Sequence, residues 1–452
     1  MSRSDQDTIA AIATAPGKGG IGIVRISGKL ALPIAEQICD KPLTAARAGY
    51  RKFSLRDKAI DEGIALFFPN PHSFTGEDVV ELQAHGGPVI LNMLVEACVN
   101  LGARLARAGE FSERAFLNDR LDLAQAEAIA DLIDANTQTA ALAAVRSLDG
   151  EFSKRINYLQ TQLTELRVFV EAAIDFPEEE IDFLQDKELS ARISDFQSLL
   201  SETIKEARRG ALINEGAQIT IIGRPNAGKS SLMNRLAQRD IAIVTDIAGT
   251  TRDSIEQQIE VAGAPVTIVD TAGLNDSPDQ VEEIGIERSK SHAKQSDLLL
   301  VLFDSQASKL ETPEKLLGQY AEVIQPDKPT LYLANKVDIS GLKPGVQEEH
   351  SNVIGISATT GIGINELMQS IESSLGLDAC EPAFSARSRH LISLNQASSV
   401  MRVAVTDFNE HKSGELFAED LRSAQLALSE ITGSLSADDL LGEIFSGFCI
   451  GK

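Results

Sequence analysis

Two textures of apolar and polar positions alternate along the chain. Within residues 1–118, short runs of β character stand at 20–28 (GIGIVRISG), 63–71 (GIALFFPNP) and 77–88 (EDVVELQAHGGP). Turn residues separate them and a helical pattern follows over 89–99, which predicts a small α/β or α+β domain. From about Leu121 the spacing changes. Leu148, Phe152, Ile156, Leu159, Leu163, Leu166 and Val170 recur at threes and fours, the stripe of an amphipathic helix. A Pro and acidic break at 175–183 (DFPEEEIDF) precedes a second stripe of Leu189, Ile193, Phe196, Leu200 and Ile204. Helical texture returns after Arg387, with Leu416, Leu421, Leu428 and Ile431 expected on one face and Ser436 as an N-cap before 438–445 (DDLLGEIF).

Between the helical stretches, apolar strands alternate with helical patterns: QITIIG, PVTIVD, LLLVLF, PTLYLA and NVIGIS. Such alternation predicts a mostly parallel sheet covered on both faces. The fold class read from these patterns is a multidomain chain, α/β plus all-α. An N-terminal domain spans 1–118, helical segments span 119–215 and 378–452, and an α/β domain at 216–377 is inserted between them. The two helical segments fit either one bundle or two.

At 452 residues the chain exceeds one core, and 43% apolar with 24% charged residues is ordinary for a globular protein. The longest apolar run, 298–303, is far short of a membrane span, and the first residues lack the basic and apolar regions of a signal peptide. A cytoplasmic address is expected. Cys39, Cys98, Cys380 and Cys449 lie far apart, which argues against disulfides and a zinc site. A net charge of −24 argues against a broad nucleic-acid surface, so any RNA contact is local or supplied by a partner.

The chemistry concentrates at strand ends. GRPNAGKS at 223–230 matches GxxxxGK[ST] between an apolar strand and a helix. Gly223 and Gly228 let backbone amides turn to phosphate, Lys229 supplies charge between the β- and γ-phosphates, and Ser230 suits magnesium. DTAG at 270–273 puts Asp270 near the metal and the Gly273 amide near the γ-phosphate. NKVD at 335–338 offers Asp338 to the N1 and N2 donors of guanine, and Ser357, Ala358 and Thr359 complete the base pocket. Between them, 245–253 (TDIAGTTRD) reads as a switch in which Thr251 or Thr250 closes on magnesium. The candidate GTP contacts are thus Asn226, Ala227, Gly228, Lys229, Ser230 and Ser231; Thr245, Asp246, Ile247, Ala248, Gly249, Thr250 and Thr251; Asp270, Thr271, Ala272 and Gly273; Asn335, Lys336, Val337 and Asp338; and Ser357, Ala358 and Thr359. Leu274 follows DTAG and cannot orient water, so Glu282 or Glu283 is expected to do so, unless both belong to a solvated helix start. A ribosome-assembly or translational GTPase is the main rival reading, and its usual basic RNA-binding module is missing. A scaffold in which GTP tunes assembly without hydrolysis is the second.

These residues, with 14–28 (TAPGKGGIGIVRISG), 74–88, 109–133 (GEFSERAFLNDRLDLAQAEAIADLI), SEITG and the terminal FCIGK, resemble the MnmE (TrmE) tRNA-modification GTPases along essentially the whole chain. The resemblance implies an N-terminal tetrahydrofolate-binding and dimerisation domain, a helical domain, and a Ras-like P-loop GTPase inserted in it. It implies a homodimer that joins the FAD-containing MnmG in a heterotetramer or larger complex, with tRNA contacted largely through that partner. The pair would add an aminomethyl or carboxymethylaminomethyl group to C5 of the wobble uridine, position 34, from a 5,10-methylene- or 5-formyl-tetrahydrofolate unit. It further implies potassium at Asn226, Thr245, Ile247 and Thr250, magnesium at Ser230 and Thr251, and water positioned by Glu282, with Lys229 and Asn226 also catalytic. Folate contacts would be Arg25, Glu81, Arg120 and Lys452. Cys449 fits either a thiol of the modification chemistry or a small buried hydrophobe. Asn275 departs from the charged residue many members carry after DTAGL.

Overall fold

The computed structural model describes residues 7–56, 58–175, 187–224, 226–238, 255–270, 296–306, 328–347, 350–377, 383–433, 438–449 and 451. The described strands are β1 (Ile9–Ile12), β2 (Gly19–Ser27), β3 (Gly49–Leu55), β4 (Lys58–Phe68), β5 (Val79–Gly86), β6 (Arg104–Leu105), β7 (Ala217–Gly223), β8 (Ile255–Val261), β9 (Ala264–Asp270), β10 (Leu298–Asp304), β11 (Thr330–Asn335), β12 (Gly345–Gln347) and β13 (His350–Gly355). The described helices are α1 (Ala31–Cys39), α2 (Pro88–Asn100), α3 (Glu110–Leu117), α4 (Leu123–Asp134), α5 (Gln138–Leu148), α6 (Glu151–Asp175), α7 (Lys187–Glu215), α8 (Lys229–Ala237), α9 (Val337–Ser340), α10 (Ile364–Leu375), α11 (Ser388–His411), α12 (Gly414–Thr432) and α13 (Asp438–Ser446). No described helix is long and apolar enough to cross a membrane. The chain divides into two compact units, Met1–Ala130 with Ile156–Arg167 and Ala418–Lys452, and Asp131–Arg155 with Val168–Phe417.

In the first unit the sheet runs β3-β4-β5-β2-β1-β6. The alternating strands bury Val24, Ile26, Val80 and Leu82 in one cluster with Ile34 and Ile38 of α1 and Leu91 and Leu94 of α2. A second cluster gathers Ile9, Ala11 and Phe111 with Phe74. Beyond it, Phe116, Leu123 and Ala126 meet Phe445 and Phe448, which anchors the C-terminal segment to α3 and α4. A buried charge network stands beside this core. The Glu110 carboxylate accepts from Arg104 at 2.6 and 2.9 Å, from Arg114 at 3.2 Å and from the Arg107 amide at 2.8 Å. Arg114 also donates to Glu77, which accepts from Ser27 at 2.7 Å. Burial by itself would raise the Glu110 carboxyl, but the donors and charges of Arg104, Arg107 and Arg114 outweigh it and hold it at about 2.

The second unit is built on a sheet of order β12-β13-β11-β10-β7-β9-β8, parallel apart from β8 and β12. Its central strands are nearly continuous apolar runs, as burial on both faces requires: Ile219, Ile221, Leu298, Leu300, Leu302, Leu333 and Ile354 share one core. Helix α7 packs on α11, and the bare Cα of Gly210 lets the α7 backbone touch that of Phe384 and Ala386. Both ends of the segment carrying this sheet are pinned. The Glu215 carboxylate accepts from the Ser388 amide at 2.9 Å and from its hydroxyl. Asp131 accepts from Arg387 at 2.6 Å and from the Ser385 hydroxyl at 3.1 Å. The Thr137 hydroxyl donates to the Gly263 carbonyl at 2.7 Å, in the β8–β9 turn.

Two expectations change. The stripe opening at Leu148 belongs to two helices: Leu148 closes α5, and Gly150, at φ +87°, separates it from α6. Leu416 is 65% exposed, and Phe417, Leu421, Ala424, Leu428 and Ile431 are the buried positions of α12. Five residues separate Leu416 from Leu421, which is about 140° around a helix, so the two cannot share a face. Ser436 lies outside the described residues.

Candidate functional site: a nucleotide cradle at the strand ends

Strand β7 lies between β9 and β10; in chain order β8 and β9 come next on one side of it and β10 then follows on the other, so the strand order reverses here at the carboxyl ends of these parallel strands. In open α/β sheets such a switch point is where ligands bind. The sequence motifs stand there.

Gly223 ends β7 so close to β10 that a Cβ would strike the Leu302 carbonyl. The loop that follows turns through Asn226 at φ +63° and Gly228 at φ +101°, and α8 begins at Lys229. Positive backbone angles in the loop followed directly by a helix N-terminus are the arrangement of an anion cradle. The Lys229 ammonium donates to the carbonyls of Gly223 at 2.8 Å and Arg224 at 3.2 Å, so its stem lies along the loop. Ser230 and Ser231 are exposed.

Asn335, at the end of β11, ties three loops together. Its Nδ2 donates to the Ala227 carbonyl at 2.8 Å, and its Oδ1 accepts from the Ala358 amide at 3.0 Å. Gly228 packs against the same amide group so closely that a Cβ would collide with Nδ2. Next, Lys336 adopts φ +69°, ψ +35°, and the Val337 amide donates to the Ile356 carbonyl at 3.1 Å. Asp338 then stands exposed in the first turn of α9, and Ser357 and Ala358 lie buried behind it with Thr359 exposed. Asp270 ends β9 beside Ile221 of β7.

The motif reading missed three contributors. Arg235 of α8 donates to the Ala358 carbonyl at 3.1 Å and to that of Thr359, which fixes the last loop to the phosphate helix. Asp304, at the end of β10, accepts from the Lys336 ammonium at 2.7 Å, a bond that draws its carboxyl below the ordinary range. Ser305 donates to the Asn335 carbonyl through its amide at 3.0 Å and its hydroxyl at 2.6 Å. For Asp304 and Ser305 a signal existed, because they too are polar residues closing an apolar strand. Arg235 carried none. Thr245, Asp246, Ile247, Ala248, Gly249, Thr250, Thr251, Thr271, Ala272, Gly273, Leu274, Asn275, Glu282 and Glu283 lie outside the described residues.

In the other unit, Arg25 of β2 faces Glu81 of β5, and both its Nε at 3.1 Å and its Nη2 at 2.9 Å donate to the one oxygen Oε1. The guanidinium stands over Phe74 at 5.3 Å and Phe111 at 5.7 Å. The turn bearing Phe74 also carries Gly76, which packs against Arg120. The C-terminal segment comes to the same sheet: the Cys449 carbonyl accepts from the Gly109 amide at 3.3 Å, and Gly451 lies against the Ile12 carbonyl. Cys449 is exposed and free, so the small-hydrophobe reading does not hold for it. Lys452 lies outside the described residues.

Comparison with known proteins places this geometry in a family. Residues 123–449 match the MnmE helical domain, and residues 8–120 match the N-terminus of the GTP-binding protein TrmE. A protein of Chromohalobacter salexigens called tRNA modification GTPase MnmE is 53% identical over 99% of this chain and 98% of its own length. Proteins of the same name are 51% identical in a Marinomonas species, over 99% and 98%, and 50% identical in Saccharophagus degradans, over 100% of both chains. With a P-loop, a guanine-type base loop and this likeness from end to end, the chain belongs to the MnmE (TrmE) family and is a GTP hydrolase.

Proposed function

We propose that this GTPase acts in tRNA modification. With an FAD-containing partner, MnmG, it would add an aminomethyl or carboxymethylaminomethyl group to C5 of uridine 34 of certain tRNAs, taking the carbon from a tetrahydrofolate derivative. The observation that carries this reading is identity of about half the residues over 99% of the chain with a protein called tRNA modification GTPase MnmE. The parts would be a homodimer, assembled with the partner into a heterotetramer or larger complex.

In the proposed mechanism the loop amides and Lys229 bind the β- and γ-phosphates, and Asp338 accepts from guanine while Asn335 holds the surrounding loops. Ser230, an exposed oxygen donor in the first turn of α8, fits a hard cation and would hold magnesium with Thr251. Asn226, exposed at φ +63°, suits potassium together with oxygens of Thr245, Ile247 and Thr250. Such cations, when bound, neutralise charge on the phosphates. Glu282 positions the attacking water in place of the glutamine that Leu274 cannot supply. Glu81 fits a pterin edge, since both Arg25 bonds fall on Oε1, and Arg25, Arg120 and Lys452 supply cations for a glutamyl tail. The exposed thiol of Cys449 is the candidate nucleophile of the modification step.

The test is GTP hydrolysis in potassium against sodium buffer, with Glu282→Ala alongside. Strong stimulation by potassium that is lost in the variant supports the mechanism. Equal rates in the two salts would remove the potassium assignment of Asn226, and an unimpaired variant would remove that of Glu282.

A further inference from the structure

We propose that Asp304 is a positioning residue for guanine-nucleotide binding, acting through Lys336 to hold the 335–338 loop in the shape that receives the base. The proposal rests on the reading of Asp338 as the base acceptor.

Lys336 sits in the left-handed region, at φ +69° and ψ +35°, which a side-chain-bearing residue occupies at a cost and keeps only when its surroundings hold it there. The holding groups are in the structure. Asp304 pairs in register with Asn335 across the β10–β11 ladder, which brings its carboxylate beneath the loop. One carboxylate oxygen, Oδ1, accepts from the Gln306 amide at 2.9 Å, so the side chain is itself oriented. The other, Oδ2, accepts from Lys336 Nζ at 2.7 Å. Ser305 fixes the residue before the strained position by its two bonds to the Asn335 carbonyl, and its hydroxyl lies 2.7 Å from that of Ser340 at the end of α9. The dipeptide that closes β10 thus grips both the strained residue and the one before it. Asp338 comes two residues after the strained position, so the direction in which its carboxylate faces depends on this grip.

Lysine is a flexible stem bearing a point charge, and ordering it only upon nucleotide binding would weaken binding. A carboxylate already in place removes that loss. Asp304 need not touch the nucleotide to do this, which separates it from the motif residues.

The experiment is GDP affinity by calorimetry for the full chain and for Asp304→Asn, Asp304→Glu, Lys336→Ala and the double variant Asp304→Asn/Lys336→Ala, each checked by circular dichroism. Asp304→Asn is expected to weaken GDP binding about fivefold, a modest factor because the pair is partly exposed. Asp304→Glu should recover part of the loss, and Asp304→Asn should cost nothing further once Lys336 is gone. Wild-type affinity in Asp304→Asn, or the same loss with and without Lys336, would overturn the proposal; a merely structural role gives the latter. A parallel Asp338→Asn variant tests the base reading, since an asparagine there should shift preference from GDP to xanthosine diphosphate. If that preference does not move, the base reading itself falls. If it moves while Asp304→Asn binds GDP normally, the Asp304 proposal alone falls.

Discussion

Replacing Asn335 by alanine should disable nucleotide binding more than any change to a single phosphate contact, because one buried amide serves three loops. The side chain is 3% exposed and makes two bonds, to the Ala227 carbonyl at 2.8 Å and from the Ala358 amide at 3.0 Å. Alanine leaves both backbone groups without that partner. An orphaned buried amide costs about 1–3 kcal/mol, and a carbonyl with a second lone pair costs somewhat less, so about 2–4 kcal/mol of loop organisation is lost. Since each 1.4 kcal/mol is about a factor of ten, GDP affinity should fall about 30- to 1,000-fold. Aspartate provides a control of similar shape. It keeps the acceptor for Ala358 but turns a second oxygen toward the Ala227 carbonyl, so Asn335→Asp should also weaken binding severely. Calorimetric titration with GDP, alongside thermal melting to confirm folding, measures both. A folded Asn335→Ala protein that binds GDP within threefold of wild type would refute the idea that this residue organises the cradle.

Other outcomes follow from the charge clusters. Because the Glu110 carboxyl is held at about 2 against a usual 4.5, its network stabilises the fold fully above about pH 4.5 and loses that contribution as pH falls toward 2. Glu110→Gln should flatten that acid dependence in denaturation curves, and should lower stability at pH 7 by about 2–4 kcal/mol by stripping buried Arg114 of one partner. An unchanged acid profile would count against the network. Asp131→Ala leaves Arg387 and the Ser385 hydroxyl without their carboxylate and should lower stability by about 2–3 kcal/mol, readable as a lower urea midpoint; an unaltered midpoint would argue that the clamp is incidental.

The nucleotide site was legible because its chemistry depends on local sequence. A phosphate loop needs its glycines, lysine and serine within 223–230, directly between a strand and a helix, and the structure has β7 and α8 there. The stripes of α6 and α7 were legible for the same reason, as Phe152, Ile156, Leu159 and Leu163 are all buried. What escaped depends on distance along the chain. Arg235 acts on carbonyls 123 and 124 residues away, and a carbonyl leaves no mark in the sequence. Asp304 meets Lys336 only because parallel β10 and β11 lie side by side. Strand β8, IEQQIEV, was overlooked because an edge strand buries one face: Ile259 and Val261 are inside while Gln258 and Glu260 face out, so it lacks the continuous apolar run of its neighbours. Leu416 misled because an exposed leucine next to a buried phenylalanine offers two candidate stripes one residue out of phase.

The bond between Glu215 and Ser388 joins residues 173 positions apart, and that separation has a consequence during synthesis. Helix α7 leaves the ribosome long before α11, against which it packs. At about 5–20 residues per second, 173 residues take on the order of 10–35 s. That interval far exceeds the time in which a small α/β domain folds. The GTPase can therefore be complete while the helices that flank it are still waiting for one another. Through that interval α7 must keep its apolar stripe from aggregating, a task suited to the exposed charges of both signs along it, Glu188, Arg192, Asp195, Glu202, Lys205 and Arg208.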